Sequence, residues 1–205
     1  FILMQDGSLW SCGENNWGQL GDAARIDNSI PLKMGKENNW KDIDCGKYYS
    51  LALKSDGTLW AWGLNSSGQL GDNTDKNKFT PIQIGSDTNW RFIACGNIRS
   101  AAIKTDGTLW VWGANINGIM YENIKSPTQV ANDSDWTSVA CGNDHLVALK
   151  ANGSLWSWGR NACGELGLSG LNTVLEPTQI GYDTYWIKVS TRGSFNIALK
   201  SDGTL

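Results

Sequence analysis

Residues 52–71 read Ala-Leu-Lys-Ser-Asp-Gly-Thr-Leu-Trp-Ala-Trp-Gly-Leu-Asn-Ser-Ser-Gly-Gln-Leu-Gly, and the words of this stretch recur along the whole 205-residue chain. The tetrapeptide that begins at Asp56 has further copies, with small substitutions, at Asp6, Asp106, Asn152 and Asp202. Successive copies therefore begin 50, 50, 46 and 50 residues apart. Self-similarity at a fixed period of this length is the signature of a repeat architecture.

Each repeat reads as a series of short strands. Asp-Gly between two apolar runs is a strong hairpin signal, and it predicts two-residue type I′ turns in which both central residues have positive φ. The arms of one such hairpin are residues 100–104 and 108–112, and residues 90–95 form a third strand. Residues 81–84 form a short fourth strand, and no segment has a helical period of useful length.

The apolar pattern predicts an all-β protein, a β-propeller of four-stranded antiparallel blades. Leu59 and Ala61 face one way and Trp60 and Trp62 the other, so both faces of the sheet are apolar, as packing between two neighbours requires. A β-helix is the second choice, but its repeats are much shorter. The repeat units are residues 6–55, 56–105, 106–151 and 152–201, with 202–205 as the start of a further unit.

The stretch from 52 to 71 closely resembles the repeat of the regulator of chromosome condensation family, and the copy looks bacterial in type. The resemblance covers the whole chain and implies a propeller, commonly of seven blades. Members of the family include the exchange factor for the small GTPase Ran, the plant ultraviolet-B photoreceptor and a secreted bacterial inhibitor of β-lactamases. They share a scaffold and no common reaction, so function has to be inferred from the site.

The chain is expected to be one propeller segment, residues 1–205, of a larger ring. Residues 197–205 align with residues 1–9, so the chain begins and ends inside strands and holds about four repeats. An open arc of four blades leaves two apolar sheet faces uncovered. We expect these faces to be covered by the rest of the propeller or by another chain.

Composition excludes several classes of function. The formal net charge of −3 lacks the positive field that nucleic-acid binding needs. No apolar run approaches the ~20 residues that cross a bilayer, so we expect no membrane insertion, while cytoplasmic and bacterial surface or secreted locations stay open. Phosphate-binding glycine motifs are absent, and no cofactor is expected.

The cysteines predict neither a metal site nor a disulfide. Cys45, Cys95 and Cys141 share one repeat position, and equivalent positions on packed sheets lie roughly 10 Å apart, beyond disulfide reach. Cys12 and Cys163 fall at unrelated positions, and no pair has Cys-x-x-Cys spacing. Cys12 also stands where other copies have tryptophan; the tryptophans are interpreted as regular core residues.

Two other departures from the repeat predict altered loops. Residues 118–121 replace the Gly-Gln-Leu-Gly word, and Thr191-Arg192 replaces Cys-Gly.

The candidate partner-binding residues lie in the loops that follow the Cys-Gly position. These loops are expected on one face, the top of the propeller, with the Asp-Gly turns on the opposite face. They contain residue types that are enriched at protein interfaces or can adapt to a partner. The candidates are Tyr48, Tyr49, Arg99, Asp144, His145 and Phe195. The resemblance to the Ran exchange factor implies that a histidine at the position of His145 faces the GTPase partner.

The leading hypothesis is a non-catalytic scaffold that binds a protein partner through one propeller face. The alternatives are a guanine-nucleotide exchange factor for a small GTPase and a secreted inhibitor of an enzyme. No catalytic residues are assigned, because one histidine supplies neither a metal cluster nor an evident nucleophile–base pair.

Overall fold

The computed structural model describes residues 1–114, 123–170 and 172–205, and within them the regular structure is entirely β-strand. The altered word at 118–121 lies outside the described residues. The seventeen strands are β1 (Ile2–Leu3), β2 (Leu9–Gly13), β3 (Asn28–Lys33), β4 (Trp40–Cys45), β5 (Tyr49–Lys54), β6 (Leu59–Gly63), β7 (Lys78–Gln83), β8 (Trp90–Cys95), β9 (Arg99–Lys104), β10 (Leu109–Gly113), β11 (Ile124–Gln129), β12 (Trp136–Cys141), β13 (His145–Lys150), β14 (Leu155–Arg160), β15 (Thr173–Gln179), β16 (Trp186–Arg192) and β17 (Phe195–Lys200).

The strands form five antiparallel sheets, numbered 1 to 5 along the chain. Sheets 2, 3 and 4 are complete four-stranded blades (β4–β7, β8–β11 and β12–β15), each in sequence order. Sheet 1 has three strands (β1–β3) and sheet 5 has two (β16–β17), so the chain holds about four blades. The predicted all-β architecture of four-stranded antiparallel blades is confirmed.

The hairpin between β5 and β6 shows why the repeat reads Asp-Gly-Thr-Leu-Trp. Oδ1 of Asp56 accepts hydrogen bonds from the backbone N–H of Thr58 at 3.0 Å and from its hydroxyl at 2.7 Å. The Thr58 hydroxyl in turn accepts the indole N–H of Trp60 at 2.8 Å. Gly57 has a φ of +79°, and a Cβ there would lie 2.1 Å from the carbonyl oxygen of Thr88. Only glycine fits this position.

The predicted two-residue type I′ turn is wrong. The N–H of Gly57 bonds to the carbonyl of Lys54 at 3.0 Å, and the N–H of Lys54 bonds to the carbonyl of Thr58 at 3.1 Å. Asp56 has no positive φ, whereas Gly57 does. The loop between Lys54 and Thr58 therefore has three residues, residues 55–57, and the last of them is a left-handed glycine. The aspartate side chain stabilises this form because its carboxylate caps the N–H of Thr58.

Adjacent sheets are joined by the loop that contains Gly-Gln-Leu-Gly. The carbonyl of Gln69, in the loop between β6 and β7 of sheet 2, accepts the indole N–H of Trp112 at 2.8 Å and the hydroxyl of Ser100 at 2.7 Å, both in sheet 3. Leu70 is fully buried in the apolar cluster between the two sheets. The carbonyl of Gln19 makes the same two bonds to sheet 2. The second tryptophan of Trp-x-Trp-Gly therefore ties each of these sheets to the one before it.

A lysine lies between two tryptophans in each complete blade. In sheet 3 the ammonium of Lys104 lies 4.7 Å from the ring centre of Trp90 and 4.0 Å from that of Trp110. Its charge is paired with Asp87 at 2.8 Å, and only 8% of the residue is exposed. The aliphatic stem fills space between the indoles while the ammonium contacts their π faces. Lys54 and Lys150 repeat the arrangement.

The outer faces of the terminal sheets carry exposed apolar side chains. Examples are Ile2 in sheet 1 and Ile197 in sheet 5. The cover expected for these faces stays a prediction.

Replacing Lys104 tests this Trp–Lys–Trp contact. We expect Lys104→Ala to lower the free energy of unfolding by about 2 kcal/mol, because it removes both the stem and the cation–π contacts from a buried site. Lys104→Met keeps most of the packing volume and should cost less. The measurement is urea denaturation, with exposed Lys36→Ala as a control expected to stay within about 0.5 kcal/mol of the parent. Equal losses for Lys104→Ala and the control would contradict this assignment.

Candidate functional site

The first strand of each complete blade (β4, β8 or β12) and of sheet 5 (β16) is called its inner strand. The loops that follow these strands in the complete blades meet the loops that contain Gly-Gln-Leu-Gly, or its equivalent, at one end of the blades, here called the upper face. The same backbone bond joins them in each complete blade: Leu64 N–H to Tyr48 carbonyl, Ala114 to Ile98 and Arg160 to Asp144, each at 2.9 Å. The Asp-Gly hairpins lie at the other end, where the N–H of Trp90 bonds to the carbonyl of Gly57 at 3.1 Å. This second end is called the lower face.

Tyr49 joins two sheets and contacts no solvent. It is 1% exposed, and its hydroxyl donates to the carbonyl of Arg99 in the next sheet at 2.5 Å. The hydroxyl oxygen of Ser100, whose proton goes to the Gln69 carbonyl, lies 3.1 Å from the Tyr49 hydroxyl. The Cys-Gly word follows from this packing, since a Cβ on Gly46 would overlap the Tyr49 ring.

His145 makes the equivalent contact between sheets 4 and 5. It is 1% exposed, and its Nε2 lies 2.7 Å from Oδ1 of Asn196 and 3.2 Å from the hydroxyl of Thr191. Thr191 stands in place of the repeated cysteine, and β16 is one residue longer than the other inner strands. A Cβ on Gly142 would overlap the imidazole, as at Gly46.

Arg99 is also buried, at 6% exposure, and its Nε and Nη2 donate to the carbonyl of Ala114 at 3.2 and 3.1 Å. Desolvation lowers the pKa of its guanidinium. The interpretation of Tyr49, Arg99 and His145 as exposed loop residues is therefore wrong. Each is the first residue of a second strand, where Tyr49 and His145 bond to the neighbouring blade and Arg99 bonds to Ala114 of its own blade.

The other three candidates are accessible. Tyr48 is half-buried, and Asp144 pairs with Arg160 at 3.5 Å with a third of its side chain exposed. Phe195 holds the repeat position of Tyr49 but is 60% exposed, since no described sheet lies against that side of sheet 5. The structure does not bring all six candidates together in one site. Partner contact by Tyr48, Asp144 and Phe195 stays a prediction.

Trp17 is the surface residue that sequence reasoning missed. It is 40% exposed, and its ring centre lies 6.3 Å from that of Tyr48, with the rings inclined at 44°. The ammonium of Lys47 lies 5.1 Å from the Tyr48 ring centre. These three residues are called the aromatic patch. The signal was available, because Trp17 alone among the twelve tryptophans stands at a repeat position where no other copy has tryptophan, so not every tryptophan is a core residue.

The loop that carries Trp17 is held by buried polar bonds. Asn15 is fully buried; its Oδ1 accepts the N–H of Leu20 at 3.0 Å, and its Nδ2 donates to Asp22 at 2.7 Å. The N–H of Trp17 donates to Oε1 of Gln19 at 2.9 Å. Because the Gln19 carbonyl is bonded to sheet 2, the loop and Tyr48 are fixed to the same blade.

The four inner strands, β4, β8, β12 and β16, line an open cavity of about 930 Å³. Asp42 and Asp44 are part of its wall, and Oδ2 of Asp44 accepts the N–H of Cys95 in the next sheet at 2.7 Å. Burial raises the pKa of both carboxyls above their ordinary 3.8. The matching residues in sheet 3 are uncharged: Phe92 and Ala94.

The cysteines and acidic residues form no metal centre among the described residues. No group of three or more His, Cys, Asp or Glu side chains is arranged there to hold an ion. All five cysteines are free thiols, and burial raises the pKa of Cys141 to about 12. The described part of the chain contains no helix long and apolar enough to span a membrane.

Comparison with known families agrees with this blade structure. A family model, the Regulator of chromosome condensation (RCC1) repeat, matches residues 6–53, 56–103, 106–149 and 152–199, and a second model of that repeat matches 40–69 and 136–165. The chain belongs to this repeat family. A comparison with curated protein sequences finds no match.

Several solved RCC1-repeat structures are similar. Human WBSCR16 is 25% identical, with a TM-score of 0.86 over 97% of this chain and 55% of its own. Prp20p of Saccharomyces cerevisiae, described with its binding to Gsp1p and histones, is 26% identical, with a TM-score of 0.80 over 93% and 51%. Yeast RCC1 (Prp20) bound by Kap60 is 25% identical, with a TM-score of 0.79 over 96% and 51%. The chain thus spans about half the length of these proteins, which are human and yeast and lend no support to a bacterial type.

Replacing Asp42 tests the effect of burying a carboxylate in the wall of the cavity that the inner strands line. Because the pKa of Asp42 is higher in the folded state than in the unfolded state, protonation of this carboxyl stabilises the fold. This stabilisation is fully present below pH 3.8 and is lost as the pH rises through the folded-state pKa. We therefore expect Asp42→Ser to raise the free energy of unfolding at pH 7 and to give no gain at pH 3, measured by urea denaturation. The reciprocal Ser138→Asp, at the same position of sheet 4, should destabilise at pH 7 only. A gain that is independent of pH would contradict this cause.

Proposed function

We propose that the chain is a non-catalytic protein-interaction scaffold that binds a protein partner through its upper face. The observation that carries this proposal is the aromatic patch, in which an exposed Trp17 stands beside Tyr48 on a loop fixed by buried hydrogen bonds. Tryptophan and tyrosine are the residues that most often dominate binding energy at interfaces. A rigid loop also loses little entropy when it binds.

The family and its solved members support a protein partner. Prp20p is described as binding Gsp1p and histones, and the yeast protein is seen bound by Kap60. Here the repeated words build the blades, whereas the upper loops differ between copies. Such an arrangement allows one framework to present different contact residues.

The position of His145 supports the absence of catalysis. It is the chain's one histidine, and its imidazole is buried and bonded to Asn196 and Thr191. It therefore offers no accessible base to a serine or cysteine nucleophile.

Substitution of the aromatic patch tests the scaffold proposal. We expect immobilised parent chain to retain a partner from an extract of its source organism, and Trp17→Ala with Tyr48→Ala to weaken its binding by about 30-fold or more, the effect of losing a hot spot. Tyr182→Ala is the matched control, because Tyr182 is an exposed aromatic residue on the lower-face linker between sheets 4 and 5. Retention that survives the double substitution, or that is lost equally in the control, would contradict the proposal.

Nucleotide exchange on a small GTPase is the second candidate, favoured by the similarity to Prp20p and its binding to Gsp1p. Among the described upper-face loops, none carries an inserted hairpin of the kind an exchange factor uses against a nucleotide site. We therefore expect this chain not to accelerate release of a fluorescent guanine nucleotide from Gsp1p. Acceleration that disappears in the Trp17→Ala, Tyr48→Ala variant would assign exchange activity to this face. The secreted-inhibitor alternative stays a prediction from the family resemblance, and an enzyme recovered as the partner would support it.

A further inference from the structure

The aromatic patch presents two hydrogen-bond donors that the described chain leaves unused. Neither the indole N–H of Trp17 nor the hydroxyl of Tyr48 has an acceptor among the described residues, whereas the buried amide of Asn15 and the backbone N–H of Trp17 are bonded within the loop. Tyr48 uses its backbone carbonyl to bind Leu64, which leaves its phenol free of any structural task. A partner that fits this patch has to supply acceptors.

Several acceptors beside the patch are used within the Trp17 loop itself. Oδ1 of Asn15 accepts from Leu20, and Oε1 of Gln19 accepts from Trp17. Asp22 accepts from Asn15 and Ala24 through one oxygen and from Asn28 through the other. None of these acceptors is bonded to the Trp17 indole N–H or the Tyr48 hydroxyl, so both donors remain available to a partner.

Charge complementarity favours a partner segment without strong charge. The Trp17 loop carries the acidic residues Glu14, Asp22 and Asp27 and the basic residue Arg25, and Lys47 lies against the Tyr48 ring. These charges nearly cancel, so neither a strongly acidic nor a strongly basic segment is attracted. A cation would also compete with Lys47, whose ammonium already lies 5.1 Å from the Tyr48 ring centre.

We propose that the aromatic patch binds a proline-rich segment of the partner in the polyproline II conformation; this inference rests on the proposed scaffold function. Such a segment has no internal hydrogen bonds, so its carbonyls are free to accept from the Trp17 indole and the Tyr48 hydroxyl. Its pyrrolidine rings pack on adjacent aromatic side chains, and its extended form costs little entropy to fix. The two inclined rings, with centres 6.3 Å apart, supply the aromatic surface.

Fluorine NMR of the whole chain labelled with 5-fluorotryptophan tests this binding with deca-proline as the probe. The resonance of Trp17 is assigned as the one lost in Trp17→Phe. We expect it to shift in a saturable way as deca-proline is added up to about 10 mM, since the affinity of a bare polyproline probe is weak. The tryptophans of sheets 2, 3 and 4 should not shift, because their rings lie within and between the blades.

Matched variants separate the contributions of ring and hydroxyl. Tyr48→Ala should abolish the shift of Trp17, and Tyr48→Phe should weaken binding about fivefold through loss of one hydrogen bond. Tyr182→Ala on the lower face should change nothing. Unchanged framework resonances show that each variant is folded.

Three results would overturn the proposal: no shift with deca-proline, an equal shift with a ten-residue Gly-Ser peptide, or a shift that persists in Tyr48→Ala. If deca-proline fails while partner retention still depends on Trp17 and Tyr48, the partner chemistry is wrong and the scaffold function stands. If both fail, the upper face is not the binding surface.

Discussion

The hydrogen bond from the Trp112 indole to the carbonyl of Gln69 joins two features that would otherwise be independent, a strand of one sheet and an upper-face loop of the sheet before it. Because the acceptor belongs to the loop backbone, the packing of adjacent blades also fixes the loop. The Trp62 bond to Gln19 does the same for the loop that carries Trp17. The geometry of the upper face is therefore set by the blade core, and side chains at the loop tip can differ without disturbing it.

Much of the fold could be predicted because the repeated words encode local chemistry. The glycine after Asp56 and the apolar residues on both strand faces indicate hairpins in sheets packed on two sides. The turn type was wrong because the general preference of Asp-Gly for type I′ turns competes here with the side-chain cap to Thr58. The role of Lys104 was also invisible, since a lysine that ends an apolar strand is usually solvated and nothing local indicates two flanking indoles from Trp90 and Trp110.

The candidate site was harder to predict than the fold for a specific physical reason. When both faces of a strand are apolar, alternation does not show which side chains point into a neighbouring blade. Tyr49 and Tyr48 are adjacent in sequence, yet one is bonded to the next sheet and the other lies on the surface. His145 and Arg99 were misplaced in the same way, because their polar groups suggest solvent while their partners are buried backbone or side-chain atoms of the blades.

Departures from the repeat differ in cost according to where they fall. Asp42 and Asp44 lie in the wall of the cavity, at positions where the next sheet has Phe92 and Ala94. Burial disfavours the charged forms of both carboxyls. Trp17 occupies a loop position that other copies fill with Ser67 or Cys163, and its backbone bond to Gln19 has a direct counterpart at Ser67. A large aromatic side chain can therefore be added at this position without altering any framework bond. Since the repeated residues hold the blades together, side chains at such loop tips can differ between copies while the framework stays the same.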